Sequence, residues 1–187
     1  MILPISQFGD PILRKRCREV DEVTDEIMTL VEDMIETMHE ANGVGLAAPQ
    51  VGRDLRLAVV DVSHDPECVS VLKVNGKDAR IEDIMPLVFI NPRFEKVGAR
   101  ERMEEGCLSI EEIRAEVQRP GIVKGVFPQL DGSEIELEAE DQAREIVYSQ
   151  VGSNITPPTG DPYGWNFANG NLGSSIALSG NGMRIII

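Results

Sequence analysis

Residues 43–50 read Gly43-Val44-Gly45-Leu46-Ala47-Ala48-Pro49-Gln50, and residues 105–109 read Glu105-Gly106-Cys107-Leu108-Ser109. In the first stretch, two glycines, two alanines and a proline let a backbone pass close to another group. On composition alone that describes a tight turn after a helix, followed by a buried strand of small residues. In the second stretch, a lone cysteine is ordinarily a small buried hydrophobe. Glu105, and Arg119 further on, read as solvated surface charge in the same plain sense.

Working outward, the segment before Gly43 is helical. Ile27, Leu30, Val31, Met34, Ile35 and Met38 recur at helical spacing and form one apolar stripe. Thr24 can cap the start, and Asp25 and Glu26 suit the positive end of the helix dipole. Ala41-Asn42-Gly43 predicts the stop, because Asn and Gly tolerate the left-handed conformation of a C-terminal cap. Beyond it the pattern turns to strands at 55–62, 87–91, 114–118, 122–127 and 134–137, with turns at Asn75-Gly76 and Asp131-Gly132. A helix, several mostly antiparallel strands and a further helix on the carboxyl side make an α+β domain.

Composition narrows the partners. The net charge of −14 argues against nonspecific binding to nucleic acid or anionic membranes. No apolar run approaches the roughly 20 residues of a membrane span, and the N-terminus lacks the basic, then apolar pattern of a secretory signal. Three cysteines, Cys17, Cys68 and Cys107, without a CxxC pair fit a reducing cytoplasm.

The two stretches quoted first resemble the first two signature motifs of peptide deformylases, metal hydrolases that remove the formyl group from the N-terminal methionine of new polypeptides. Phe8-Gly9-Asp10-Pro11-Ile12-Leu13-Arg14, Gln50-Val51-Gly52 and Ile90-Asn91-Pro92 extend the resemblance over roughly residues 3–144. It implies a deformylase-like fold, with antiparallel strands around a helix. It implies that Gln50 donates its side-chain amide to the developing oxyanion, that the Leu108 N–H is a second such donor, and that Gly45 lines the substrate groove. Cys107 would be a thiolate metal ligand, and Glu105 would support the site through an ion pair with Arg119. Fe2+ or Zn2+ is the cofactor the resemblance implies. Formyl-Met peptides, presented as nascent chains at the ribosome, are the partners.

The family's third motif, His-Glu-x-x-His on a helix, occurs nowhere in this sequence, which has two histidines, His39 and His64. Aligned through Ala143-Arg144, the positions of that motif fall on Tyr148, Ser149 and Gly152. A tyrosine is a poor ligand for such a site at neutral pH, a serine is no base near pH 7, and a glycine has no side chain. His39 lies beside the apolar stripe and His64 in a loop after a strand, and neither spacing matches a chelating pair. Cys107 alone would hold a divalent metal poorly. The expectation is a deformylase relative whose catalytic carboxyl-side helix is missing or replaced, with impaired or absent turnover and no stably bound metal. Two non-enzymatic alternatives stand beside it, a peptide-binding scaffold and a nonfunctional hybrid.

A change in composition supports the last point. Residues 151–187 hold one acidic residue, Asp161, and one basic residue, Arg184, but 7 of the 17 glycines. Tyr148-Ser149-Gln150-Val151-Gly152-Ser153-Asn154-Ile155, Tyr163-Gly164-Trp165 and the stretch 172–187 resemble one blade of an integrin-like β-propeller repeat, a unit that needs neighbours to bury its faces. The expected division is a truncated deformylase-like domain at 1–146 and an unrelated tail at 147–187. In the resembled fold the missing helix fills the space between the sheets, so its loss is expected to weaken the core.

Overall fold

A computed structural model describes residues 1–64 and 70–141. The first helix, α1 (Asp25–Glu40), begins where the sequence places it: the Thr24 hydroxyl accepts from the Ile27 N–H, with Asp25 and Glu26 in the first turn. It ends at Ala41. Asn42 then adopts a positive φ of 52°, and the Gly43 N–H returns to the Met38 carbonyl at 2.9 Å.

Three short strands follow the helix into one antiparallel sheet. These are β1 (Gly45–Ala47), β2 (Leu57–Val60) and, later in the chain, β5 (Leu87–Ile90), in the order β1-β2-β5. Every residue of β2 and β5 is buried, because both faces of this sheet are covered. Side chains alternate between the faces. Leu46, Leu57, Val59, Val88 and Ile90 pack with Leu30, Val31, Met34 and Met38 of α1. Ala47, Ala58, Val60, Leu87 and Phe89 point the other way, toward a second sheet.

That second sheet contains β3 (Ser70–Val74), β4 (Lys77–Ala79), β6 (Arg93–Cys107), β7 (Ile110–Pro128) and β8 (Glu134–Asp141), in the order β4-β3-β8-β7-β6. A short helix, α2 (Ile81–Ile84), joins the two sheets in sequence. Leu72, Val123, Phe127, Leu137 and Ala139 supply the buried side of the five-stranded sheet. Phe89 and Phe127 meet edge to face across the sheets, with centroids 4.9 Å apart and planes at 75°. The layers therefore run helix, three-stranded sheet, five-stranded sheet. Full burial of each such Leu or Phe is worth about 1.5–3 kcal/mol.

The strands depart from the sequence reading where charge or proline obscures the pattern. Residues 93–105 carry so many Arg, Lys and Glu that they show no apolar alternation, yet they form most of β6. A bulge at Gly98 (φ 83°) and Ala99 breaks the register between Val97 and Arg100. The expected strands 114–118 and 122–127 are one strand, β7. Pro120 interrupts its pattern but not its path, because it lies opposite Arg100, next to that bulge. Asn75-Gly76 forms the β3–β4 turn with both residues at positive φ. The expected loss of the helix after β8, and the propeller-like tail at 147–187, lie outside the described residues.

Candidate functional site

The β6–β7 hairpin closes tightly, Cys107 pairing with Ile110 across Leu108-Ser109. The segment after β1 makes a 3-10 turn at Ala48–Val51, with Gly52 at φ 74° ending it. Two N-terminal hydrogen bonds fasten these pieces to one another: Ser6 N–H to the Gln50 carbonyl and Phe8 N–H to the Ser109 carbonyl, both 2.7 Å.

Gln50 stands at the junction, 4% exposed. Its Oε1 accepts from the Ala47 N–H at 2.9 Å, which fixes the orientation of the amide. Nε2 then faces the hairpin, donating to the Ser109 hydroxyl at 3.1 Å with the Cys107 Sγ at 3.8 Å. The amide thus reaches the hairpin as a donor with a defined direction. Cys107 is half-buried.

Leu108 tucks its side chain against the α1 layer and over Gly43. A Cβ at Gly43 would stand 2.7 Å from Leu108 Cδ1, so glycine there gives the Leu108 side chain room in this position. The Leu108 carbonyl accepts from Gln7 Nε2 at 3.3 Å. Gly45 opens β1, half-buried, in register with Val60. Because β1 is an edge strand, its outer side is not paired with another strand among the described residues.

Glu105 is buried on β6, and Arg119 reaches along the sheet from β7 to hold it with both arms, Nε to Oε1 at 3.1 Å and the terminal nitrogen to Oε2 at 2.9 Å. A paired, two-point contact is the arrangement that lets a carboxylate sit out of water. Gln50, Cys107, Leu108 and the Glu105–Arg119 pair are therefore brought together around one hairpin. Ser109 is a participant that the sequence reading did not single out, although it ends the quoted motif. Its hydroxyl is the nearer partner of the Gln50 amide.

Among the described residues, no His, Cys, Asp or Glu groups with Cys107 in a way that fits a bound metal. Both imidazoles of the chain lie elsewhere, grouped with Asp61. Among the described residues, the side chains whose ligand atoms converge closely enough for one ion are His39, Asp61 and His64, and Cys107 is not one of them. The sequence reading saw no chelating pair in these histidines because it used spacing along the chain, and the turn after β2 supplies the missing proximity.

The sequence pattern of the family described as polypeptide deformylase matches residues 2–148. A peptide deformylase of Clostridium botulinum is 41% identical over 145 residues, covering 77% of this chain and 85% of that one. One of Agathobacter rectalis is 44% identical over 143 residues, covering 76% and 78%. The crystal structure of peptide deformylase from Thermotoga maritima superposes with a TM-score of 0.61 at 34% identity, over 75% of this chain and 82% of that one.

Proposed function

The chain belongs to the polypeptide deformylase family, and on that premise we propose that it keeps the carbonyl-binding part of a deformylase site without the hydrolytic part. The family acts on formylated nascent peptides and is a family of metalloenzymes. In this reading the chain binds the formyl-Met end of such peptides, as they emerge from the ribosome in the cytoplasm, and turns them over slowly or not at all. Gln50 Nε2 and the Leu108 N–H serve as donors to the formyl oxygen. Gly45 offers edge backbone to an extended peptide. Glu105 and Arg119 hold the hairpin in place. Cys107 is the remaining member of the ligand set and retains no metal by itself.

The observation that carries this reading is the directed amide of Gln50, pinned by Ala47 and aimed at the 107–109 turn. The absence of His-Glu-x-x-His from the sequence removes the group that would activate water. The proposed division follows the same line, with a deformylase-like body at 1–146 and a tail of different origin at 147–187. The family match ends at residue 148.

Calorimetric titration of the full chain with formyl-Met-Ala-Ser and with its unformylated counterpart tests the reading. Wild type is expected to prefer the formylated peptide by at least about tenfold, the worth of one good hydrogen bond to a buried group. Gln50→Glu keeps an acceptor for Ala47 but puts an ionised carboxylate oxygen, which has no hydrogen to donate, in place of the amide nitrogen, and is expected to lose that preference. Equal affinity of wild type for both peptides contradicts the reading.

A further inference from the structure

We propose that His39, Asp61 and His64 form a divalent-metal site of two imidazoles and one carboxylate, separate from the position that Cys107 marks. His39 lies in the last turn of α1, and Asp61 and His64 follow β2. The two are the chain's whole complement of histidine, and each has a ligand atom within 4.8 Å of that of the same carboxylate. Their ligand atoms and that of Asp61 all lie within 4.8 Å of one another. His39 Nε2 stands 2.9 Å from Asp61 Oδ2, and the two rings meet edge to face at 5.6 Å.

Asp61 is prepared for such a role. It is 6% exposed, and its own N–H is tied to the Val44 carbonyl at 3.0 Å. Its Oδ1 is occupied by the Ser63 N–H at 2.9 Å and the Ser63 hydroxyl at 2.6 Å. That leaves Oδ2 as the oxygen turned toward the imidazoles, held by the kind of outer hydrogen bonds that orient metal-binding carboxylates. Zn2+ bonds N and O donors at about 2.0–2.2 Å, so neighbouring donors around one ion stand about 3–3.5 Å apart. His39 and Asp61 are already close to that spacing. His64 is exposed, and its donor atom lies within 4.8 Å of those of His39 and Asp61. Two imidazoles and a carboxylate, with the remaining positions open to water, suit Zn2+ and similar borderline ions. The inference does not depend on the reading of the Gln50–Cys107 site.

Having two histidines makes the test direct. The full chain, labelled with 15N at histidine and freed of metal with a chelator, is titrated with ZnCl2 near pH 7.5 while the ring nitrogens are followed by NMR. At one equivalent, a nitrogen of each ring is expected to shift, and Cys107→Ala is expected to leave those shifts unchanged. His64→Ala, at an exposed position, is expected to weaken Zn2+ binding measured through the His39 ring at least tenfold, with circular dichroism confirming the fold. Rings that stay unmoved at one equivalent overturn the proposal and leave His39–Asp61 as an ordinary hydrogen bond. So does movement of one ring alone, or shifts that disappear in Cys107→Ala.

Discussion

Gln50 and Cys107, 57 residues apart in the chain, stand with amide nitrogen and sulfur 3.8 Å apart. The contact exists because a 3-10 turn after β1 and a tight β6–β7 hairpin are both pinned by the same N-terminal strip, through Ser6 and Phe8. Two of the motif positions are thus held by backbone hydrogen bonds as well as by side-chain packing. The hairpin depends further on Glu105 and Arg119, so its integrity can be measured apart from any activity.

Arg119→Ala should destabilise the fold by about 3 kcal/mol, since it strands a buried carboxylate. Adding Glu105→Gln to that variant should recover part of the loss, because the stranded charge is gone. Urea denaturation of the two variants and wild type measures both effects. No difference between single and double variant would mean that the pair is not coupled.

Two glycines should respond differently to alanine. At Gly125 an added Cβ would lie 2.6 Å from the Arg93 carbonyl oxygen, a backbone atom of the neighbouring strand. Gly125→Ala should therefore cost about 2 kcal/mol or more, through forced separation of β6 and β7. At Gly43 the obstacle is the end of the Leu108 side chain, which can turn aside. Gly43→Ala should cost less stability and more peptide affinity. Thermal melts and peptide titration of the two variants give the comparison.

Acid should weaken the contacts between β8 and its two neighbours in the second sheet. Glu138 on β8 accepts from Lys124 at 2.6 Å and Lys73 at 3.2 Å, and these contacts hold its carboxyl below its ordinary value. A depressed folded value means stability that is present above the unfolded value of about 4.3 and lost as pH falls through the folded one. Wild type and Glu138→Gln should therefore differ at pH 7 and converge near pH 3, with the difference at pH 7 shrinking in high salt. Denaturation across pH is the measurement.

Cys17 and Cys107 should be separable by reactivity. Burial is the first cause that pushes the Cys17 thiol up, and the residue is 6% exposed. Cys107 is half-buried at the hairpin turn. Iodoacetamide near pH 8 should modify Cys107 well before Cys17, as mass spectrometry of time points would show.

Much of this was legible in the sequence for a physical reason. The α1 stripe, its Thr24 cap and the Asn42 stop are local signals, and α1 follows them. The short motifs drew attention to Gln50, Cys107 and Leu108 through their resemblance to a family, because composition alone reads there as a turn and a buried cysteine. What was not legible depends on contacts across the chain. β6 hides behind its charges because it carries a bulge and lies at the edge of the second sheet. Ser109 looked incidental until Gln50 reached it. His39 and His64 looked unrelated because Asp61, which brings them together, sits at the end of a strand that had to pair first.

The central claim, a deformylase relative that holds formyl-Met peptides without an effective hydrolytic centre, is tested most directly by formate release from formyl-Met-Ala-Ser. The assay uses the purified full chain, alone and supplemented with Fe2+, Ni2+ or Zn2+, beside Cys107→Ser. Release at the buffer background in every condition is the predicted result. Turnover by wild type that Cys107→Ser abolishes would contradict the account, because it would require ligands to complete a metal centre at Cys107.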